Sequence, residues 1–474
     1  MDQNAERIWN LVSEKTGTFR RLADTVWSNP EVNYEEFASC EEHARALSAE
    51  GFTVTRQVAG LPTAVMGEAG EGGVVIAFLG EYDALPHLSQ EAGVASHAPI
   101  KPYGHGHGCG HHLLGSGAMQ AATAVKNYLR QENIPGRVRY YGCPAEEGGS
   151  GKGFMARNGA FKDVDAFITW HPYWFAGVPN AVTLACNEID FHFTGRSSHA
   201  ASSPHLGRSA LDAVELMNVG VNYLREHIPS HARIHYAIVD AGGEAPNVVQ
   251  AKATVRYVVR GRDTPELRSL VERVSKVAQG AAMMTETAMS HRVRTGEANF
   301  LGNRVLEDIA WEEFRRVGPP AFDEADNVLA EAMQKTFEHD SIVEAYQSIG
   351  LKVPELQTGM ASLLFPPRIP NTLTSSTDVG NVSWLAPTIE IYGANYAVGT
   401  PFHSWQLVAQ GKSNAAMKGM EHAAKVMAAT GMRLFLSPES LLRAKQEHSA
   451  ALSRTPYVDP IPDGTLPDLP ARLR

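Results

Sequence analysis

The chain has 474 residues, 43% of them hydrophobic and 20% charged, with a formal net charge of −10. That length exceeds what one ordinary core fills, so two domains are expected. The acidic balance excludes nucleic-acid binding through a positive surface, and without an apolar run of about 18 residues no membrane span is expected.

Apolar residues at helical spacing (Ile8, Leu11, Val12, Phe19, Leu22, Val26) predict a helix over 7–28. Asn29-Pro30 ends it, because the residue before a proline avoids the helical region. A second helix fits 35–50 and stops at Gly51. Residues 74–79 are continuously apolar, as a strand buried on both faces should be. A helix of small residues over 111–130, a strand over 138–143, a short helix near 151–158 and a strand over 166–170 follow. Strands alternating with helices predict an α/β fold with a mostly parallel sheet flanked by helices.

The pattern then changes. A strand over 188–194, a helix over 206–226, strands over 233–239 and 248–259, a helix over 265–282 and a strand over 285–293 give the order β-α-β-β-α-β. That order predicts a ferredoxin-like α+β unit. It is inserted in the first domain, because metal-type residues resume beyond it. The expected domains are therefore 1–185 plus 296–474, and 186–295. Later helices fit 305–316, 326–338 and 406–429, with a strand over 388–396. The proline-rich tail from Pro456 is expected to lie extended on the surface or stay disordered.

The start, Met1-Asp2-Gln3-Asn4-Ala5-Glu6, lacks the basic and apolar regions of an export signal. Cys40, Cys109, Cys143 and Cys186 are therefore expected to be reduced, and the protein to be cytoplasmic.

The reactive residues fall at strand ends. Glu81 and Asp83 follow the first buried strand, Cys109 and His111 open the next helix, Glu146 and Glu147 follow the second strand and His171 the third. Open α/β sheets place their sites there, so one pocket can collect them all. His403, in Gly-Thr-Pro-Phe-His-Ser-Trp, can complete the set. A thiolate, imidazoles and adjacent carboxylates suit a divalent ion. Such an ion lowers the pKa of water and polarises a carbonyl, and a neighbouring carboxylate moves the proton. On an irregular loop two adjacent glutamates diverge. Glu147 is assigned as ligand and Glu146 as base, although sequence alone permits the reverse.

The motifs Gly80-Glu81-Tyr82-Asp83-Ala84-Leu85-Pro86, Gly106-His107-Gly108-Cys109-Gly110-His111, Glu146-Glu147-Gly148-Gly149-Ser150-Gly151, Trp170-His171-Pro172, Ser198-His199-Ala200-Ala201, Ser376-Thr377-Asp378 and Gly399-Thr400-Pro401-Phe402-His403 run along most of the chain. Together they resemble the di-metal aminoacylase and glutamate-carboxypeptidase family of metallopeptidases, in its amidohydrolase branch. The resemblance implies metal ligands Cys109, His111, Glu147, His171 and His403, with Cys109 bridging two ions, and Glu146 as general base. Asp83 would orient a ligand. His199, from the inserted lid and dimerisation domain, would reach the substrate carbonyl, often across a dimer. Asn247 would help hold the substrate, and Arg208 and Arg260 are candidate carboxylate clamps. His112 stands where the family commonly has an acid or amide, so it is expected either to orient a ligand or to add a nitrogen near the metals. Glu81 stands where some members use histidine, and it stays outside the ligand set.

The expected activity is hydrolysis of an N-acyl or N-aroyl amino acid. By resemblance the released residue is glutamate or aspartate, with p-aminobenzoyl or indole-acetyl as acyl partners. Thiolate and imidazole suit Zn2+, and carboxylates also admit Mn2+. Trp170, Tyr173, Trp174 and Phe175, beside His171, are candidates for an acyl pocket. The expected partners are the small-molecule substrate and a second copy bound through the lid, or a related second subunit. Two other readings are a catalytically silent relative and a cysteine hydrolase using Cys109 and His111. Intact Glu146 opposes the first. A nucleophile and base two residues apart seldom aim at each other, which opposes the second.

Overall fold

The computed structural model describes residues 3–180, 182–351, 359–369 and 375–473. The chain forms β1 (Thr53–Arg56), β2 (Val65–Glu71), β3 (Val75–Glu81), β4 (Gly136–Cys143), β5 (Ala166–Tyr173) and β6 (Ala176–Gly177). It continues through β7 (Ala185–Thr194), β8 (Arg233–Asp240), β9 (Lys252–Gly261) and β10 (Ala288–Glu297), then β11 (Leu364–Phe365) and β12 (Thr388–Ala394). One sheet has the order β1-β2-β4-β3-β5-β12-β6-β11 and the other β10-β7-β9-β8.

In the larger sheet β4, β3, β5 and β12 are mutually parallel, and β2 and β1 extend it antiparallel. Every residue of β3 is buried. Because side chains alternate along a strand, Ile76 and Phe78 enter one core while Val75, Ala77 and Leu79 enter another. The first core is closed by the helices His111–Glu132 and Asn414–Leu436. The second holds Phe154, Val379 and Val382. The parallel α/β architecture expected from the sequence is present.

The smaller sheet is antiparallel throughout. Its strand order is that of a β-α-β-β-α-β split unit. Ile189, Phe191, Val255, Tyr257 and Val259 pack against Ala213, Val214 and Met217 of the helix Ala210–Leu224 and against Leu267, Leu270 and Val274 of the helix Thr264–Thr285. This core is separate from the others.

Several elements differ from expectation. The helix over 7–28 is two helices, Gln3–Ser13 and Thr16–Ser28. Ser13 and Thr16 flank the break and both donate to Glu421, at 2.8 Å each. The helix over 406–429 is also two, Trp405–Gln410 and Asn414–Leu436, because Ser413 accepts from Ala416 N–H and restarts the chain. The helix expected from 206 begins at Ala210, where Ser209 accepts from Asp212 N–H. The helices His339–Ser348 and Pro438–Arg454 were not foreseen. The tail is tied down rather than loose. Arg157 donates to Asp459 at 2.9 Å, and Ile461 is buried in the second core. Among the described residues no helix is long and apolar enough to cross a membrane, and all four cysteines are free thiols.

His422, buried in the helix Asn414–Leu436, donates from Nε2 to Gly318 O at 2.8 Å. Burial pushes its pKa down to about 4. The unfolded chain therefore takes up this proton below its ordinary value of about 6.5, and the fold does not until about pH 4. Stability is lost as pH falls through that window. His422→Gln keeps the donor and removes the titration. Between pH 7 and 4.5 the wild type should lose about 2–3 kcal/mol more stability than the variant in urea unfolding. Equal losses would show that His422 does not titrate in this way.

Candidate active site

The parallel strands β4, β3, β5 and β12 end side by side, and the reactive groups cluster beyond those ends. Gly110, between Cys109 and His111, has φ 85°, and a Cβ there would meet Tyr396 Oη at 2.3 Å. Only glycine lets the chain turn from Cys109 into the helix. The loop after β4 carries Glu146 and Glu147 between Ala145 at φ 57° and Ser150 at φ 50°, and His403 itself has φ 55°. Non-glycine residues held there cost about 1–3 kcal/mol each and persist where their surroundings fix them.

Cys109 Sγ lies 3.4 Å from His171 Nε2, and His403 Nε2 lies 3.3 Å from Glu147 Oε2. His111 Nε2 lies 3.2 Å from Glu81 Oε2 and 3.9 Å from Glu146 Oε2. Ligand atoms from Cys109, His111 and His171 all fall within 4.8 Å of one another, as do those of Cys109, Glu147 and His403, and those of Glu81, His111 and Glu146. Cys109 belongs to two of these groups. The ring nitrogens are pre-oriented. His111 Nδ1–H donates to Asp83 Oδ1 at 2.7 Å and His171 Nδ1–H donates to Pro172 O at 2.8 Å, which aims each Nε2 at the shared space. Asp83 Oδ2 also accepts from Glu147 N–H at 2.9 Å, so one carboxylate orients two of the candidate ligands.

The electrostatics call for a cation. Burial, Glu81 and Glu147 push Glu146 well above the usual carboxylate range. Burial pushes Glu147 up to about 7, partly opposed by His111. Burial and Glu147 likewise push the Cys109 thiol up. Although burial opposes its charge, Asp83 and Glu81 hold His111 well above an ordinary imidazole. In effect a proton occupies the position that a divalent ion would take. Among the described residues, buried His111 Nε2 and Glu147 Oε1 have no hydrogen-bond partner. Two orphaned donor atoms beside a thiol and two further imidazoles fit a metal centre.

A cleft of about 610 Å³ opens onto these groups, lined also by Tyr173, Trp174, Arg260, Glu390, Tyr392 and Phe402. The model of peptidase family M20/M25/M40 matches residues 77–366. The chain belongs to that family. It is 46% identical over 456 residues to a p-aminobenzoyl-glutamate hydrolase subunit of Escherichia coli (strain K12), covering 94% of this chain and 95% of that protein. It is 28% identical to the Xaa-Arg dipeptidase of Mus musculus, covering 94% of this chain and 92% of that one. The crystal structure of an aminobenzoyl-glutamate utilization protein from Klebsiella pneumoniae superposes with a TM-score of 0.57 at 16% identity, covering 89% and 97%.

Not every residue singled out from the sequence reaches this M20 cleft. Arg260 does, and it donates to Ser376 Oγ. Among the described residues His112 makes no hydrogen bond to a candidate ligand. It turns into the core and bonds Gly411 O through Nε2 at 2.9 Å. His199, Asn247 and Arg208 lie on the smaller-sheet unit and are absent from the cleft lining. His199 Nδ1 accepts from Ala201 and Ser202 N–H, and Arg208 pairs with Glu286 at 2.8 Å. Trp170 and Phe175 are core residues, while Tyr173 and Trp174 face the cleft.

Two residues of this M20 chain escaped the sequence reading. Lys152 is fully buried, and its ammonium lies 2.5 Å from Glu81 Oε1 and 2.6 Å from Asp378 Oδ1. A lysine in Gly-Lys-Gly carries no signal of burial. Glu36 lies before residue 77, where the family match begins. Its buried carboxylate accepts from Tyr34 N–H and Ala145 N–H at 2.9 Å each and from Thr63 Oγ1 at 2.8 Å. Tyr34 also has positive φ, at 61°. Glu36 thus pins two left-handed residues, one of them directly before Glu146. Glu36→Ala should cut kcat about 10–100-fold, the range for groups that orient site residues, with KM and metal content little changed. Glu36→Gln should restore it, because the amide oxygen keeps both N–H bonds and its NH2 can donate to Thr63. A wild-type kcat for Glu36→Ala would make Glu36 a packing residue only.

Proposed function

We propose that this chain is a metal-dependent amidohydrolase that cleaves N-aroyl or N-acyl amino acids, p-aminobenzoyl-glutamate first among them. The observation that carries the reading is the pair of ligand groups sharing the Cys109 thiol, in a chain 46% identical over 94% of its length to a p-aminobenzoyl-glutamate hydrolase subunit. Cys109, His111 and His171 would hold one ion, and Cys109, Glu147 and His403 a second. The donor set admits Zn2+ and Mn2+. Bound there, the ions would supply Lewis acidity and lower the pKa of water.

The protein's own groups do the rest. Glu146 takes the proton from the attacking water and delivers it to the leaving nitrogen. Asp83 keeps His111 in the correct tautomer. Arg260, held by Ser376, receives a carboxylate of the released amino acid. Tyr173, Trp174 and Phe402 flank an aromatic acyl group. Turnover of p-aminobenzoyl-glutamate by the purified chain, lost on chelation and restored by added Zn2+ or Mn2+, is the expected result. No turnover of any acyl-glutamate or acyl-aspartate with either ion would refute the reading and favour a silent relative.

His199 and Asn247 fit this scheme only as contributions from a second copy, since neither lines the cleft of its own chain. The residue range 186–295 would then act as lid and dimerisation domain. Among the described residues β8 is the outer strand of its sheet, with Tyr236, Ile238 and Val239 exposed, and the helix Ala210–Leu224 exposes Val219 and Tyr223. An apolar edge strand of this kind invites pairing with a second copy or with a related chain. Mixing two inactive variants, Glu146→Ala and His199→Ala, tests this. Mixed dimers carry one complete site, so activity should return to about a quarter of wild type under random exchange. A mixture as inactive as its components would place His199 in its own chain's site, and an active His199→Ala variant would place it outside catalysis.

A further inference from the structure

The inner wall of the cleft carries one acidic group that neither the metal centre nor the proton transfer uses. Glu390 lies on β12, two residues before Tyr392 and on the same face. Tyr392 pairs in register with His171, and their rings stand 6.3 Å apart. Glu390 therefore sits about 7 Å deeper than the aromatic ring that flanks a candidate ligand. With Thr183 and Tyr392 it lines both the main cleft and a small recess beyond it.

This carboxyl lies deep in the cleft yet is partly exposed, because it faces the cavity. Burial pushes its pKa up to about 8, with Glu81 adding and Lys152 opposing. Among the described residues it has no hydrogen-bond partner, while Lys152 is already shared by Glu81 and Asp378. Its oxygens open onto the cavity and bond no other group among the described residues, so a ligand that fills the cavity displaces their water and must supply the replacement bond. Other acidic groups of the lining have partners. Glu188 pairs with Arg294, and Glu297 feels Arg260 and accepts from Ser150 at 3.4 Å. The charges acting on Glu390 do not include Arg260. The cleft thus presents a cation in one region and an unmatched carboxyl in another.

We propose that Glu390 is a substrate-recognition residue that accepts a hydrogen bond from an amino group at the far end of an aromatic acyl part, while Arg260 takes the carboxylate end. This rests on the amidohydrolase reading above and narrows its substrate class to amides with an N–H donor at one end and an anion at the other. The aromatic cluster of Tyr392, Tyr173 and Phe402, with ring centroids 4.5 Å and 5.6 Å from that of Tyr173, offers ring contacts that suit an arylamine. A site built to hydrogen-bond an amino group discriminates against the analogue that lacks it, because its own polar group is then left unpaired.

The test measures binding without turnover. In the metal-loaded Glu146→Ala protein, calorimetry compares p-aminobenzoyl-glutamate with benzoyl-glutamate. The amino compound should bind at least about 10-fold more tightly. Adding Glu390→Leu should bring the ratio to near one, and Glu390→Gln, which keeps an acceptor oxygen, should preserve part of it. An unchanged ratio in Glu390→Leu overturns the proposal while leaving the amidohydrolase reading intact. Should neither acyl-glutamate bind, that reading fails, and p-aminobenzoate against benzoate tests Glu390 alone. Equal affinities for those two in the wild-type chain also overturn the proposal. If Glu390→Leu does not fold, the same comparison on Glu390→Gln must still show a reduced ratio.

Discussion

Glu146→Ala should retain both metal ions and lose about 10²–10⁴-fold in kcat, the range expected for a positioned general base. Glu146 is absent from both groups that share the Cys109 thiol. Its Oε2 lies 3.9 Å from His111 Nε2, close enough to address a water in the same space yet longer than a direct bond. Burial with Glu81 and Glu147 makes this carboxyl avid for a proton, and the two ions would temper that avidity toward neutrality. Glu146→Gln should fall as far as Glu146→Ala, since the amide keeps size and polarity but cannot take the proton. Elemental analysis and single-turnover rates on the same preparations check both halves. Substantial residual turnover, or a rate loss explained by missing metal, would remove Glu146 from the role of base.

The candidate site was legible wherever its residues carry a local signature. Cys109, His111, Glu146 and Glu147 stand beyond a buried strand or at the start of the next helix, and His171 stands near the end of β5. The apolar run of β3 and the strands β4 and β5 are visible in sequence, so the common pocket followed from order alone. His403 could be placed by its motif, far along the chain, but not by periodicity. Glu36 and Lys152 were illegible because their roles are tertiary. Glu36 resembles an ordinary acid at the start of a helix, and only the fold brings it to Ala145. β1 and β2 were missed for a related reason. β1 is only Thr53–Arg56 and mostly exposed, and β2 contains Gly67 and Gly70, which weaken a strand signal. Helix breaks at 14–15 and 411–413 left the apolar spacing intact on both sides, so periodicity ran across them. His112 illustrates the opposite error. It adjoins His111 in sequence, but adjacent helical residues point about 100° apart, and its ring enters the core at Gly411.

Cys109→Ser should disable metal binding more severely than loss of any group that merely orients a ligand. Cys109 is the only residue common to the His111–His171 group and the Glu147–His403 group among the described residues, so one substitution weakens both sites. A serine hydroxyl stays protonated at neutral pH and is a harder, poorer donor than thiolate for Zn2+. Asp83→Asn provides the scale. It keeps the ligands but replaces the carboxylate that receives His111 Nδ1–H at 2.7 Å, and should weaken metal about 10–100-fold. Cys109→Ser should exceed that range, with metal content near zero after brief dialysis against a chelator. In the wild type, bound metal should also slow alkylation of Cys109, because coordination occupies the sulfur, even though burial and Glu147 already make the free thiol reluctant to ionise. Retention of wild-type metal content by Cys109→Ser would dissolve the shared-thiol centre, and the carboxylate group Glu81, His111 and Glu146 would then be the better candidate for a single ion.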